Sequence, residues 1–227
     1  MTFFVLYSAF FCQLVLVANG QYVFPDKAAL ETGVAAWITD ETAATSTYGD
    51  INNWDVSAVT DMSELFKGKT TFNSDISGWN VSSVTTMHGM FWSAHAFNQD
   101  ISGWDVSSVT AMGTMFQGTL AFNQDINGWD VSNVTEMGYM FFGSAAFDGD
   151  ISGWNVGSVT NMYAMFEQAV AFNGAISGWD VSSVTTMVRM FYSYSYVGSS
   201  FNQQLCWDLT GKTITDMFVG TLGASTI

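Results

Sequence analysis

Tryptophan recurs every 25 residues along most of the chain, and this period constrains the fold more than any other feature of the sequence. One unit has the signature F-N-x-D-I-S-G-W-[DN]-V-S-x-V-T-x-M-x-x-M-F. The periodic tryptophans are Trp54, Trp79, Trp104, Trp129, Trp154 and Trp179, and Trp207 follows after 28 residues. A fixed period of roughly 20–50 residues is typical of solenoids and repeat arrays. A unit this small cannot bury its own apolar face, so neighbouring units have to cover it.

Each unit contains two patterns that predict local structure. The segment around Asp-Ile-Ser is rich in strand-forming residues, and we place a short strand there. The segment Val-Thr-x-Met-x-x-Met-Phe has apolar residues at helical spacing, and its threonine stands where a helix N-cap would stand. These threonines are Thr60, Thr85, Thr110, Thr135, Thr160 and Thr185. We therefore predict an α/β repeat solenoid with one short strand and one short helix per 25-residue coil.

The N-terminus predicts a targeting segment. Residues 1–20 carry no charge and are mostly apolar, with Ala18 and Gly20 at the −3 and −1 positions of a cut before Gln21. We predict a cleaved signal peptide, with an uncleaved membrane anchor as the alternative. Cleavage would leave one cysteine, Cys206, which would be either a buried thiol or half of an intermolecular bridge.

The mature chain divides into two ends and a regular middle. Residues 21–49 predict an N-terminal helical cap and linker: Asp26 is the N-cap, and Leu30, Val34, Trp37 and Ile38 share one helix face. Residues 39–49 are interpreted as the linker. Residues 50–200 hold six regular repeats, and residues 201–227 form a C-terminal capping repeat with altered spacing.

The unit W-D-V-S-x-V-T-x-M-x-x-M-F-x-x-x-x-x-F-N-Q-D-I resembles the surface-protein repeat of mycoplasmas and aquatic microbial eukaryotes. It is similar to the BspA-like branch of leucine-rich repeats, over about residues 45–220. The resemblance implies an extracellular or cell-surface protein with a leucine-rich-repeat-like solenoid. Some BspA-like proteins are adhesins, and the family brings no enzymatic residues with it.

Composition and motifs exclude several function classes. Five Lys and Arg stand against 20 Asp and Glu, for a net charge of −15, which argues against nucleic acid and against anionic lipid surfaces. The two histidines, His88 and His95, fall at variable positions of a single unit, and the sequence has no catalytic motif. We predict that the protein is not an enzyme.

Two columns of acidic and amide residues recur with the period. The first column contains Asp50, Asp75, Asp100, Asp125 and Asp150, and the second contains Asp55, Asn80, Asp105, Asp130, Asn155 and Asp180. They either cap backbone amides in turns or bind calcium between coils, and Asp75, Asp100, Asp125 and Asp150 are the candidate ligands. The asparagines in the second column favour capping, because asparagine is the weaker calcium ligand.

Variable positions carry aromatic and histidine side chains that stacking would gather on one side of the molecule. They are Trp92, His95, Tyr139, Phe142, Tyr163, Tyr192, Tyr194 and Tyr196. Exposed aromatic residues suit recognition of a protein or glycan, while inward packing as additional core is the alternative. The regular threonine column raises ice binding as a minor alternative, and Asn80 and Asn133 occupy N-glycosylation sequons.

These observations predict a secreted or cell-surface, non-enzymatic binding or adhesion module. Its partner would be a protein, a glycan or another copy of the chain, with no nucleic acid and, after signal cleavage, no membrane. The alternative is a structural subunit of a self-assembling extracellular filament or coat. Calcium is the one cofactor that the sequence raises.

Overall fold

The computed structural model describes residues 17–18, 20–194, 198–223 and 225–226. Its regular elements are the strands β1 (Val17–Ala18) and β2 (Gln21–Tyr22), the helices α1 (Lys27–Thr39) and α2 (Glu41–Tyr48), a 3-10 helix (Ile51–Asn53), and the strands β3 (Gln204–Leu205) and β4 (Ser225–Thr226). β1 and β2 pair antiparallel, and β3 and β4 pair parallel. Most of the predicted signal peptide and all of Tyr196 lie outside the described residues.

The N-terminal segment folds as two helices. Asp26 accepts a hydrogen bond from the Ala29 amide at 2.9 Å and starts α1, as the sequence predicts, with Leu30, Val34 and Trp37 buried and Ile38 exposed. Residues 39–49, which we predict as the linker, are mostly helical, because α2 occupies Glu41–Tyr48. Asp40 caps that helix by accepting from the Ala43 amide at 3.0 Å.

Within the described repeats, residues 54–194 and 198–203 contain neither the predicted strand nor the predicted helix. Around Asp-Ile-Ser the backbone turns: Asp100 accepts from the Ser102 amide at 2.9 Å, and the Trp104 amide donates to Ile101 O at 3.1 Å. Parallel bridges form instead at the residue after the column threonine, and in the last repeat at the residue after Lys212. They join Asp61, Thr86, Ala111, Glu136, Asn161, Thr186 and Thr213 in sequence.

The Met-x-x-Met-Phe segment is a run of turns rather than a helix. Alternate amides stay within the repeat, such as Met90 N to Met87 O at 3.1 Å. The others donate to the next repeat, such as Gly89 N to Gly113 O and Phe91 N to Met115 O, both at 2.9 Å. Left-handed backbone at Gly89 (φ 62°) and Ser93 (φ 56°) ends any helix after one turn. The spacing of apolar residues in the sequence does not reveal this backbone geometry.

The threonine column has a role different from the predicted N-cap. The hydroxyl and the amide of Thr85 both donate to Thr60 O, at 3.1 and 2.8 Å, and the following repeats copy this contact. The column is exposed along its length. These threonines therefore join repeats to one another rather than starting helices.

One apolar core runs from Phe24 to Met217. Equivalent rings of consecutive repeats lie over one another, with centroids 5.4 Å apart for Phe66 and Phe91 and 6.3 Å apart for Trp54 and Trp79. The indole nitrogen of Trp79 donates to Ile51 O at 2.7 Å. Register is therefore set by side chains as well as by backbone, and we call this arrangement the repeat stack.

Candidate functional site

Aromatic residues of the later repeats meet around the single arginine of the chain. We name this group the Arg189 patch; it consists of Tyr139, Phe142, Tyr163, Arg189, Tyr192 and Tyr194. The Tyr139 ring lies 5.0 Å from Tyr163 and 5.8 Å from Phe142, and the Tyr192 ring lies 5.6 Å from Tyr194. Tyr139 and Tyr194 are 37% and 44% exposed. The structure therefore brings together five of the eight positions that the sequence selected.

Arg189 links the two halves of the patch. Its guanidinium carbon stands 4.2 Å over the Tyr192 ring, and its Nη2 lies 2.6 Å from the Glu167 carboxylate. The Glu167 side chain is only 3% exposed and that of Arg189 is 32% exposed. The carboxylate is therefore buried, and the arginine side chain is partly exposed. Burial raises the pKa of Glu167, and the charge of Arg189 opposes that rise.

Arg189 occupies a position that is costly for a long side chain. Its φ is 56°, in the left-handed region where the equivalent residue of an earlier repeat is Gly89. Its Nε and the Ser193 hydroxyl are buried without a hydrogen-bond partner. Buried polar groups without partners cost about 1–3 kcal/mol each. Stability alone would favour a smaller neutral residue here.

The phenol of Tyr139 stays protonated at neutral pH. Burial raises its pKa, and the hydrogen bond with Tyr163 and the negative charge of Glu167 act in the same direction. Its hydroxyl is therefore a hydrogen-bond donor or acceptor, not an anion, at the exposed edge of the patch.

Trp92 and His95 lie apart from the patch. Trp92 is half-buried, and its ring lies under the Lys67 ammonium at 3.9 Å, a cation–π contact within the first repeats. His95 is exposed, and the contacts of the described residues do not join it to the patch. Tyr196 lies outside the described residues.

The acidic columns cap turns. Asp75, Asp100 and Asp150 each accept from the amide two residues later, all at 2.9 Å. Asp125 does so as well, accepting from Asn127 N at 2.9 Å. In the second column, Asn80 accepts from Ser82 just as Asp105 accepts from Ser107. Within the described residues, no group of three or more His, Cys, Asp or Glu could hold a metal ion. The geometry thus favours capping over the calcium hypothesis.

Hydrogen bonds to the ionised carboxylates lower several pKa values in these columns. For Asp100 and Asp105, the first cause is the side-chain hydroxyl of Ser102 and Ser107, followed by the backbone amide. For Asp150 the amide of Ser152 comes first. These carboxylates are stabilised as anions by their own turns.

The two glycosylation sequons differ in their surroundings. Asn80 and Asn133 are both exposed. Asn80 Oδ1 accepts from the Ser82 hydroxyl at 2.7 Å, whereas Asn133 Nδ2 donates to Ser107 O at 2.8 Å. The amide nitrogen that would carry a glycan is therefore bonded to the neighbouring repeat at Asn133.

The C-terminal end of the stack is exposed. Val219 and Leu222 are 46% and 71% exposed, and Ile214 is exposed as well. The amides of Ile214 and Asp216 align with those of Met187 and Arg189, which donate to Thr213 O and Thr215 O. In the described part of the chain, these two last-repeat amides have no backbone acceptor. We call this surface the open end.

Cys206 lies near the open end and is exposed, so the buried-thiol prediction is wrong. It borders a polar cavity of about 360 Å³ whose walls include Asp180, Asp208 and Lys212. The cavity forms where the spacing between tryptophans grows from 25 to 28 residues, between Trp179 and Trp207. As for the helices, none in the described part of the chain is long and apolar enough to cross a membrane.

Sequence reasoning missed Arg189 and Glu167. Arg189 is the only arginine of the chain, and this is the one sequence signal that marks it. Its column also holds Glu64, and the column of Glu167 also holds Lys67. Because Glu64 and Lys67 form an ion pair too, at 2.8 Å, charge at these columns does not single out the pair of Arg189 and Glu167.

The family described as "Mycoplasma protein of unknown function, DUF285" matches residues 37–148 and again residues 122–225. No curated protein and no solved structure matches the chain. The family match confirms the predicted likeness to a mycoplasma family, while the BspA-like assignment has no counterpart in it. Because the two matched segments together span most of its residues, the chain belongs to the DUF285 family.

Proposed function

We propose that this chain is a secreted or cell-surface, non-enzymatic binding module built as a single solenoid, and that the Arg189 patch is its binding surface. The BspA-like likeness of the repeat supports a surface location. The main support is that Tyr, Phe and Arg side chains cluster at one place on the surface of a chain with net charge −15. Tyrosine and arginine are enriched among the residues that dominate binding energies.

The repeat stack suits this role because it holds the patch rigidly. Tyr139 N donates to Tyr163 O at 2.8 Å, so the two residues with neighbouring rings are also joined by backbone. Arg189 N donates to Thr215 O at 2.9 Å, which anchors the central residue to the last repeat. A surface that is ordered before binding loses less conformational entropy on binding.

Each substitution in the test introduces a residue type that an earlier repeat carries at the matched position. Tyr139→Thr, Phe142→Gln and Tyr163→His import the residues of Thr114, Gln117 and His88 from the same columns of earlier repeats. Beads coated with wild-type protein are expected to be retained on a surface of extracellular-matrix extract, and the triple variant is expected to lose that retention. The control is Trp92→Gln, which removes an aromatic residue outside the patch.

Equal retention of the wild-type and triple-variant beads would contradict the patch as the binding surface. Absence of retention for wild-type beads would contradict the binding module itself. Circular dichroism melting of each variant separates loss of binding from loss of folding.

Self-assembly is a second candidate, and the open end favours it. Ile214, Val219 and Leu222 are exposed, and among the described residues the amides of Ile214 and Asp216 have no backbone acceptor. Unpaired backbone edges of this kind pair readily with other chains. Exposed Cys206 could join two copies by a disulfide. The expected result is a concentration-dependent increase in mass in light scattering, removed by Val219→Lys and Leu222→Lys together.

The matched control is Leu120→Lys, because Leu120 is also exposed but lies in the middle of the stack. A monomer at all concentrations, with and without reductant, would contradict assembly. Higher mass that only a reductant removes would assign the contact to Cys206.

A further inference from the structure

We propose that the Arg189 patch binds an uncharged glycan, with sugar rings lying against exposed Tyr139 and Tyr194 and sugar hydroxyls meeting the phenols and the guanidinium. This inference rests on the proposed function, and it names the class of partner. Four observations carry it: ring arrangement, hydrogen-bonding capacity, charge and surface shape.

The rings form an aromatic cluster across neighbouring repeats. Phe142, Tyr139 and Tyr163 follow one another with centroids 5.8 and 5.0 Å apart and with ring planes inclined by 60° and 46°. Aromatic faces bear a partial negative charge, which attracts the polarised C–H groups on one face of a pyranose ring. The Tyr192 ring lies under Arg189, so exposed Tyr139 and Tyr194 are the rings that a sugar can contact.

Hydrogen-bonding groups border the rings. Tyr139, Tyr163, Tyr192 and Tyr194 each carry a phenol hydroxyl, which donates and accepts. Tyr139 and Tyr163 already contact one another, so their hydroxyls lie together at one edge. Sugars display alternating donor and acceptor hydroxyls around a small apolar face, and they match a surface of this composition.

Charge favours an uncharged ligand. Arg189 is the only cation of the patch and is paired with Glu167 at 2.6 Å, so the pair contributes no net charge. A carboxylated or sulfated polymer would have to displace Glu167 and would meet the field of a chain with net charge −15. An uncharged polymer meets neither penalty.

Shape favours a glycan over a folded protein. Protein hot spots insert anchor side chains into desolvated pockets. Four cavities of the described chain are lined by residues outside the Arg189 patch. Tyr139 and Tyr194 are exposed, so a sugar can contact these rings without entering a pocket.

The experiment is affinity electrophoresis through gels that contain soluble uncharged polysaccharides: a β-glucan, a mannan and a galactan, with polygalacturonate as the acidic comparison. We expect at least one uncharged polymer to retard the wild-type protein and polygalacturonate not to. The double variant Glu167→Gln, Arg189→Gly introduces the residue types that earlier repeats carry in the same columns, at Gln117 and Gly89. Both positions then carry uncharged residues. The double variant is expected to bind about tenfold more weakly or worse. Trp92→Gln is expected to bind as wild type.

Two outcomes would overturn the glycan assignment. The first is that no uncharged polysaccharide retards the wild-type protein, and the second is that polygalacturonate retards it most. Treating the matrix surface with periodate or with protease then separates the two proposals. Retention that survives periodate but not protease assigns the patch to a protein partner and leaves the binding module standing. Absence of retention on untreated matrix removes the binding module as well.

Discussion

The two ends of the repeat stack are finished in different ways. At the N-terminal end, α1 lies over the first repeat: Lys27 binds Asp61 at 3.3 Å, Trp37 Nε1 donates to Ser74 Oγ at 2.9 Å, and Phe24 packs 4.7 Å from Trp54. At the open end, Phe218 stacks on Phe191 at 5.7 Å, is partly buried, and is bordered by exposed Val219. A repeat array needs polar or covered ends to remain soluble. The N-terminal end is therefore covered by packed side chains, whereas apolar side chains remain exposed at the open end.

The largest effect is expected for an aromatic residue of the covered end. Phe24 is fully buried among Tyr22, Tyr48 and Trp54, so Phe24→Ala should cost about 3–5 kcal/mol. The matched change at the open end is Phe218→Ala, which should cost less than about 2 kcal/mol because the ring is only partly buried. Urea unfolding measures both, and equal costs would abolish the distinction between the ends.

For glycine substitutions the order is reversed: the change in the last repeat should cost more stability than the matched change in the first. Gly68 and Gly220 occupy matched left-handed positions, with φ of 69° and 80°. A Cβ at Gly68 meets no atom within 4 Å, so Gly68→Ala should cost about 1–2 kcal/mol for backbone strain alone. A Cβ at Gly220 would overlap Ser193 O, so Gly220→Ala should cost more than that. The thermal midpoints of the two variants test this order, and a milder Gly220→Ala would show that the last repeat is loosely seated.

The Arg189 patch lies beside the open end, and its ion pair should make stability there pH-dependent. Arg189→Gly removes the partner of buried Glu167, and we expect a loss of about 1–3 kcal/mol at pH 7, discounted because Arg189 is partly exposed. The pKa of Glu167 is already raised by burial. The cost should therefore shrink as the pH falls through the raised pKa of Glu167, because this carboxyl protonates above the ordinary glutamate value of about 4.3.

Urea unfolding of the variant and the wild type between pH 4 and pH 7 measures this dependence. A stability loss that is constant across this range would show that the lost interaction is packing rather than charge. Adding Glu167→Gln should restore stability at pH 7.

The smallest effect is expected in the middle of the stack, which serves as a reference for both ends. Hydrogen bonds from Ser107 and Ser132 lower the pKa values of Asp105 and Asp130, so their stabilisation is present above the unfolded pKa and is lost as the pH falls through the folded one. Asp105→Asn with Asp130→Asn should change neutral-pH stability by less than about 0.5 kcal/mol, because asparagine caps equally well.

Thermal midpoints from pH 7 down to pH 3 should then fall less for that variant than for wild type. The reciprocal substitution Asn80→Asp should steepen the fall. An unchanged pH dependence in both variants would contradict the assignment of these columns to turn capping.

Column comparison predicted more than local pattern did. Side chains 25 residues apart contact one another, as the period predicts; for example, Phe91 stacks on Phe116 with ring centroids 5.6 Å apart. The capping roles of Asp26 and the aspartate columns also follow from residue type and position. The predicted short helix failed because its apolar spacing is equally satisfied by successive turns. The sequence did not predict that the linker is helical, because ETAATSTY has little apolar periodicity and only Ala44 of α2 is buried.

The sequence alone determined which side chains share a column, because a constant period leaves one register for like residues to meet. It also determined the composition of the core and the capping residues of the turns. The tertiary structure decided the path of the backbone, since left-handed residues such as Ser93 and Arg189 send alternate amides to the next repeat. It also decided the Arg189 patch, because residues from three repeats, Tyr139, Tyr163 and Arg189, come together only when the repeats are stacked.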